Sequence, residues 1–216
     1  MHDATNLMSA EAERVLHGVH PFASRLGSPD GLKALASTLS ALELAPILSL
    51  AALREFLHVY RERILIPAEL PAIKSAYEFV SRGQARELIA LDQTGSKDSA
   101  RMPFAEVSAM IGQAQLRRLK PMRGNRVLTR YLEAISRGEA RGWHTIAYGL
   151  ILASFAMPLR QGLMHYAEST LQGFVESTAA PLRLSEPELV ELTREACSGL
   201  GTSVNNLLGP VGLTVS

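Results

Sequence analysis

Along most of this chain apolar residues recur every three or four positions, and turn residues separate the periodic stretches, so the pattern reads as a succession of helices. The densest stretch runs from Gly142 to Leu184 and is interrupted once, at Met157-Pro158. Before the interruption, Ile146, Ala147, Leu150, Ile151 and Ser154 share one stripe, while Tyr148, Leu152 and Phe155 leave little of the other side polar. A helix that is apolar nearly all round is buried on all sides. After it, Leu159, Leu163, Tyr166 or Ala167, Thr170, Phe174 and Ser177 repeat at helical spacing, with Arg160, Gln161, Glu168 and Gln172 on a polar flank. The spacing predicts two helices joined at Pro158, the first a buried central helix and the second laid against it. The apolar run from Ile146 to Met157 is far shorter than the roughly 20 residues a bilayer crossing needs.

Elsewhere the same periodicity predicts shorter helices. Leu32, Leu35, Leu39 and Leu42 form one, which ends near Pro46. Ser49 caps the next, whose inward face is Leu50, Leu53, Phe56 or Leu57, Tyr60 and Ile64 and whose outer face is charged. Pro67 and Pro71 open a further helix carrying Leu70, Ile73, Ala76 or Tyr77 and Val80, with Gly83 as a left-handed terminator. Ala85, Leu88, Ile89 and Leu91 continue as a shorter helix that the polar run Thr94 to Ser99 breaks. Pro103 starts a helix with Phe104, Val107, Ile111 and Ala114, which the segment Pro121 to Asn125 ends. Val127, Leu128, Tyr131, Leu132 and Ile135 give another, closed by Gly138. Ser185 and Glu188 have the spacing of a capping box for a last helix through Glu195. Apart from a few residues near Ile64 to Ile66, no strand alternation competes. The fold class is all-α: a single-domain bundle over residues 31–199, of about eight to ten helices around a buried central one. Residues 1–30 are expected to be a mobile N-terminal segment and 200–216, rich in Gly and Asn, a flexible tail.

Composition narrows the function classes. The 216 residues, 47% hydrophobic and 20% charged, suit one globular core. With 22 Lys and Arg against 21 Asp and Glu, no overall field favours nucleic acid or an anionic membrane. The single Cys197 excludes an internal disulfide framework, and with no signal pattern over Met1 to Ala10 it points to the cytoplasm. The basic run Arg117, Arg118, Lys120, Arg123, Arg126 and Arg130 lacks interleaved aromatics and reads as a docking patch for an acidic protein.

The search for reaction chemistry is mostly negative. Glycine-rich phosphate loops, nucleophile elbows, zinc-binding helix motifs and paired aspartate motifs are absent, which disfavours an enzyme. His144, Tyr148 and His165 are the one candidate acid-base cluster, with a structural role the stronger reading. His17 and His20 are the weak metal-ligand candidates, since no cysteine or carboxylate lies between or immediately after them. Phe22, a large aromatic on a Pro- and Gly-rich stretch, is a candidate partner anchor.

The order of motifs resembles the UreF-type urease accessory proteins. The matching residues are Leu91-Asp92, then Glu106, Ser108 and Gly112, then the apolar helix from His144 to Phe155 with its Met157-Pro158 joint. Tyr166, Ser169, Leu171 and Val175 complete the set. The chain departs from the family at the N-terminus, where only Pro21, Phe22 and Gly31-Leu32 align, and after Val175, where Arg183-Leu184-Ser185-Glu186 stands in place of P-L-G-Q. It reads as a divergent member. The resemblance implies an all-α, non-enzymatic adaptor without a cofactor of its own. Such an adaptor bridges the urease-bound accessory protein UreD (UreH) and the GTPase UreG, so that nickel is inserted into the urease apoprotein. It also implies partner-binding roles for Glu106, Ser108, Tyr166, Ser169, Arg183 and Glu186, and leaves a homodimer open. The alternative is a helical ligand-responsive regulator or another interaction module. Residues 1–50 hold only Arg14, Arg25 and Lys33 as cations, too few for a basic reading helix.

Overall fold

A computed structural model describes residues 36, 38–40, 42–95, 105–118 and 125–209 of the chain. Among them the regular structure is helical throughout and no strand occurs. The elements are α1 (Leu50–Tyr60), a π segment (Arg61–Glu69), α2 (Leu70–Ser81), α3 (Ala85–Gly95), α4 (Ala105–Arg118), α5 (Arg126–Ser136), α6 (His144–Ser154), α7 (Leu159–Leu182), α8 (Glu186–Cys197) and α9 (Leu200–Leu208).

Helix α6 is the centre. Every residue from His144 to Leu152 is buried, because α2, α4 and α7 pack around it. Close approach to α2 depends on Gly149, where an added Cβ would lie 2.5 Å from the Ile73 carbonyl oxygen and 2.8 Å from the Ala76 Cβ. At the end of α6 the chain reverses through Ala156, which takes a positive φ of 52°, and the Met157 N–H bonds back to the Leu152 carbonyl at 2.9 Å. Pro158 then occupies the N-cap of α7. Phe155, at the end of the apolar run, is exposed.

Several helix ends follow directly from local chemistry. The Ser49 hydroxyl accepts the Ala52 N–H at 3.2 Å, and Gly83 and Gly138 take the left-handed conformation that closes α2 and α5. Ser185 donates both its N–H (2.8 Å) and its hydroxyl (2.6 Å) to Glu188 at the start of α8. Asn125 starts α5, its Oδ1 accepting the N–H groups of Val127 and Leu128 at 3.1 Å each.

Three expectations are corrected. Pro67 does not open a helix: α1, the π segment and α2 form one unbroken helical path, with αR backbone at both joins and only Pro71 in the first turn of α2. Residues Ile64 to Ile66, the one place with a trace of strand alternation, lie inside that π segment. The reason is a change of phase. At α spacing the inward stripe of Leu53, Phe56, Leu57, Tyr60 and Ile64 would continue through positions 67 or 68 and 71, yet the buried residues are Leu65, Glu69, Leu70 and Ile73. The stripe slips by about two residues, which two turns of wider i→i−5 winding absorb.

The third correction concerns the C-terminal region. Residues 200–208 are not a flexible tail but helix α9, packed on α7 with Leu200 and Val204 buried. Gly199 at φ 78° turns the chain into it, and Arg160 of α7 donates to Asn205 at 2.9 Å. Leu200, Val204, Leu207 and Leu208 form a helical stripe that Gly and Asn content obscures. Residues 1–30 and 210–216 lie outside the described residues, as does most of the helix expected over Leu32 to Leu42.

Candidate functional site

Two buried polar centres flank the N-terminus of α6. The first is built on Asp92, near the end of α3 and fully buried. Its carboxylate accepts the Tyr131 hydroxyl of α5 at 2.5 Å, the Arg141 N–H at 2.6 Å, the Gly142 N–H at 3.0 Å and the Trp143 N–H at 3.4 Å. The Trp143 indole N–H in turn donates to the Asp92 carbonyl at 3.2 Å. Four donors converging on one carboxylate compensate its removal from water and pin the α5–α6 loop. Burial, and then the Asp92 charge, push the Tyr131 hydroxyl well above its usual pKa, so it stays a donor.

The second centre is a chain of side chains from five elements. Ser108 (α4) accepts the His144 backbone N–H at 3.3 Å, and its hydroxyl lies 2.6 Å from His144 Nδ1. His144 Nε2 lies 2.8 Å from the Tyr166 hydroxyl of α7, which donates to Glu69 Oε2 at 3.1 Å. Tyr60 of α1 donates to the same oxygen at 2.7 Å. With its O–H donated to Glu69, the Tyr166 oxygen is left to accept from His144 Nε2–H, and in that tautomer His144 Nδ1 accepts from the Ser108 hydroxyl. All protons therefore point toward the Glu69 carboxylate. His144 Nε2 also lies 3.7 Å from Glu69 Oε1. Burial, followed by the Glu69 charge, raises the Tyr60 and Tyr166 hydroxyls well above their usual range.

A serine hydrogen-bonded to a histidine is the geometry of an activated nucleophile. Here both side chains are buried, and three surface clefts are lined by other residues, so no substrate reaches the pair through them. What the chain does is join α1, the π segment, α4, α6 and α7 through one hydrogen-bonded path. Tyr148 packs against the Tyr166 ring at a centroid distance of 5.0 Å but sends its hydroxyl to the Gly162 carbonyl at 3.2 Å. His165 lies 3.4 Å from the Ser169 hydroxyl. Of the candidate trio His144, Tyr148 and His165, only His144 joins the chain, where its partners are Ser108, Tyr166 and Glu69, in keeping with the structural reading.

Of the residues expected to meet a partner, Ser108 and Tyr166 are interior and offer no surface, which corrects their assignment. Glu106, two positions before Ser108, is exposed, as are Arg183, in the left-handed position that closes α7, and Glu186, the first residue of α8. Ser169 is half-buried. His17, His20 and Phe22 lie outside the described residues, as do Lys120 and Arg123 of the basic run, while Arg117, Arg126 and Arg130 are exposed. Among the described residues no group of three or more His, Cys, Asp or Glu side chains could hold a metal, and no helix is long and apolar enough to cross a membrane. Glu69 was not singled out from the sequence. Its signal is a carboxylate on the inward stripe between Leu65 and Ile73, legible only after the two-residue slip is known.

The motif residues Ser108, His144 and Tyr166 of this helical frame are hydrogen-bonded to one another in its interior. The UreF family profile matches residues 47–180, and the chain is a member of this family of urease accessory proteins. That interval holds both polar centres. No curated protein matches the chain significantly.

Proposed function

We propose that this chain is a cytoplasmic adaptor of urease maturation, bridging a UreD/UreH-type protein bound to urease apoprotein and a UreG-type GTPase, so that nickel enters the urease active site. The family match over residues 47–180 carries this reading. The buried polar centres support it, because they stiffen a frame and leave the outer surface to do the work. In this role the partners handle the nickel and the chain needs no cofactor. Exposed Glu106, Arg183 and Glu186, with half-buried Ser169, are the contact positions on the described surface, and Phe22 is the N-terminal anchor. Exposed Arg117, Arg126 and Arg130 offer a cationic face to an acidic partner, with no nucleic acid or membrane involved.

Reconstitution tests the proposal. The purified chain is mixed with UreD/UreH-type and UreG-type proteins from its own source, apo-urease, GTP and nickel. Co-elution with both accessory proteins, and urease activation that falls when the chain is omitted, is the expected result. A chain that binds neither, and whose omission leaves activation unchanged, overturns the adaptor role.

A further inference from the structure

A groove of about 520 Å³ runs between α7 and α8. Its floor is Val175, fully buried, with half-buried Leu189 and Cys197 on the α8 wall. Val190 stands on that wall with 64% of its surface exposed, so the apolar lining of the groove continues to its rim. The α7 edge carries Glu168 and Glu176, and Gln172 between them donates to Glu176 at 2.7 Å. Arg194 stands on the α8 side. Burial raises the Glu168 carboxyl above its usual value.

We infer that this groove docks a helix of a partner protein, one with an apolar stripe and a lysine- or arginine-bearing edge. The charge pattern selects that occupant. Glu168 and Glu176 are eight residues apart on one helix, 176 − 168 = 8, or about 12 Å along its axis. Basic residues at i and i+7 or i+8 of a helix lying alongside would meet both carboxylates. An apolar side chain between them would cover Val190 and Val175, the mode in which an amphipathic helix lies in a groove. A cation placed beside a partly desolvated carboxylate stabilises its charged form. An acidic helix would instead face like charges along the whole α7 edge.

The test uses the full chain and a fluorescent leucine/lysine peptide of about 14 residues, four helical turns, so a failure of the urease reading leaves it untouched. Anisotropy should show saturable binding of this peptide and none of its leucine/glutamate counterpart. Both Glu168→Gln with Glu176→Gln and, separately, Val190→Asp should weaken binding about tenfold, in line with the loss of two ion pairs or of one buried apolar contact. These positions are at the surface, and unchanged melting temperatures identify the effect as one on binding. Glu87→Gln with Glu133→Gln, exposed acids placed elsewhere, should leave it unchanged. Binding that the control pair weakens equally, or that all variants retain, overturns the inference. So does a dimer in sedimentation that Val190→Asp dissociates, since the occupant would then be a second copy of this chain.

Discussion

Gly112 of α4 lies directly against the backbone of Gly142. A Cβ at Gly112 would collide with the Gly142 carbonyl oxygen and come within 2.8 Å of the His144 nitrogen. This contact sets the distance at which Ser108, one turn earlier on α4, meets the His144 ring. The obstacle is backbone held on its other side by Asp92, so it has little room to give.

Gly112→Ala should therefore destabilise the chain by about 1–3 kcal/mol, as overpacking does where neighbours cannot move. Urea unfolding measures this as a lower midpoint with unchanged slope. A midpoint equal to the parent's would mean that α4 can shift freely away from the loop.

Asp92→Ala would take the acceptor from the buried Tyr131 hydroxyl, from the buried Gly142 and Trp143 N–H groups and from the part-buried Arg141 N–H. The expected cost is at least about 3 kcal/mol, against about 1–2 kcal/mol for Tyr131→Phe, which removes one bond and leaves the carboxylate its other donors. Trp143 is the single tryptophan of the chain and donates to Asp92, so its emission reports the site. Asp92→Ala should shift that emission to the red as water enters, and Tyr131→Phe should shift it less.

Val204→Ala removes buried methyl groups from the contact between α9 and α7 and should cost about 2 kcal/mol. For a chain of this size that is a fall in melting temperature of about 4–8 °C. An unchanged melting temperature would mean that α9 does not contribute to the folded unit.

Cys197, on the groove wall, should react slowly with iodoacetamide at neutral pH. Burial, and secondarily the Glu168 charge, push its thiol up to about 11, against about 8.5 in an unfolded chain. Because the thiolate is the nucleophile, labelling should keep accelerating past pH 9 and level off near 11. The sign for stability follows. The folded state holds the proton more tightly, so this contribution is complete below about pH 8.5 and is lost as pH rises through about 11. Labelling that levels off near 8.5 would show an unperturbed thiol.

The sequence by itself determined most of the helices and several of their ends, since these depend on neighbours in the chain. Ser49, Gly83, Gly138 and the Ser185–Glu188 pair act within a turn of where they stand. The all-round apolar run at Ile146 to Leu152 already required a central position for α6. Motif order likewise pointed to the UreF family, and the residues of that motif proved to be the interior framework and not, for Ser108 and Tyr166, a docking surface. Only the tertiary structure decided this, because the partners are remote in sequence: Tyr166 and Glu69 are 97 residues apart, Trp143 and Asp92 51. A periodic pattern says that a residue faces inward, not what it meets there. The π segment and α9 were hidden for related reasons. Two extra residues between Ile64 and Leu70 look like a helix break until α1 and α2 must both face the same core, and Leu200 and Val204 among glycines and asparagines form a face only once α7 is present to cover it.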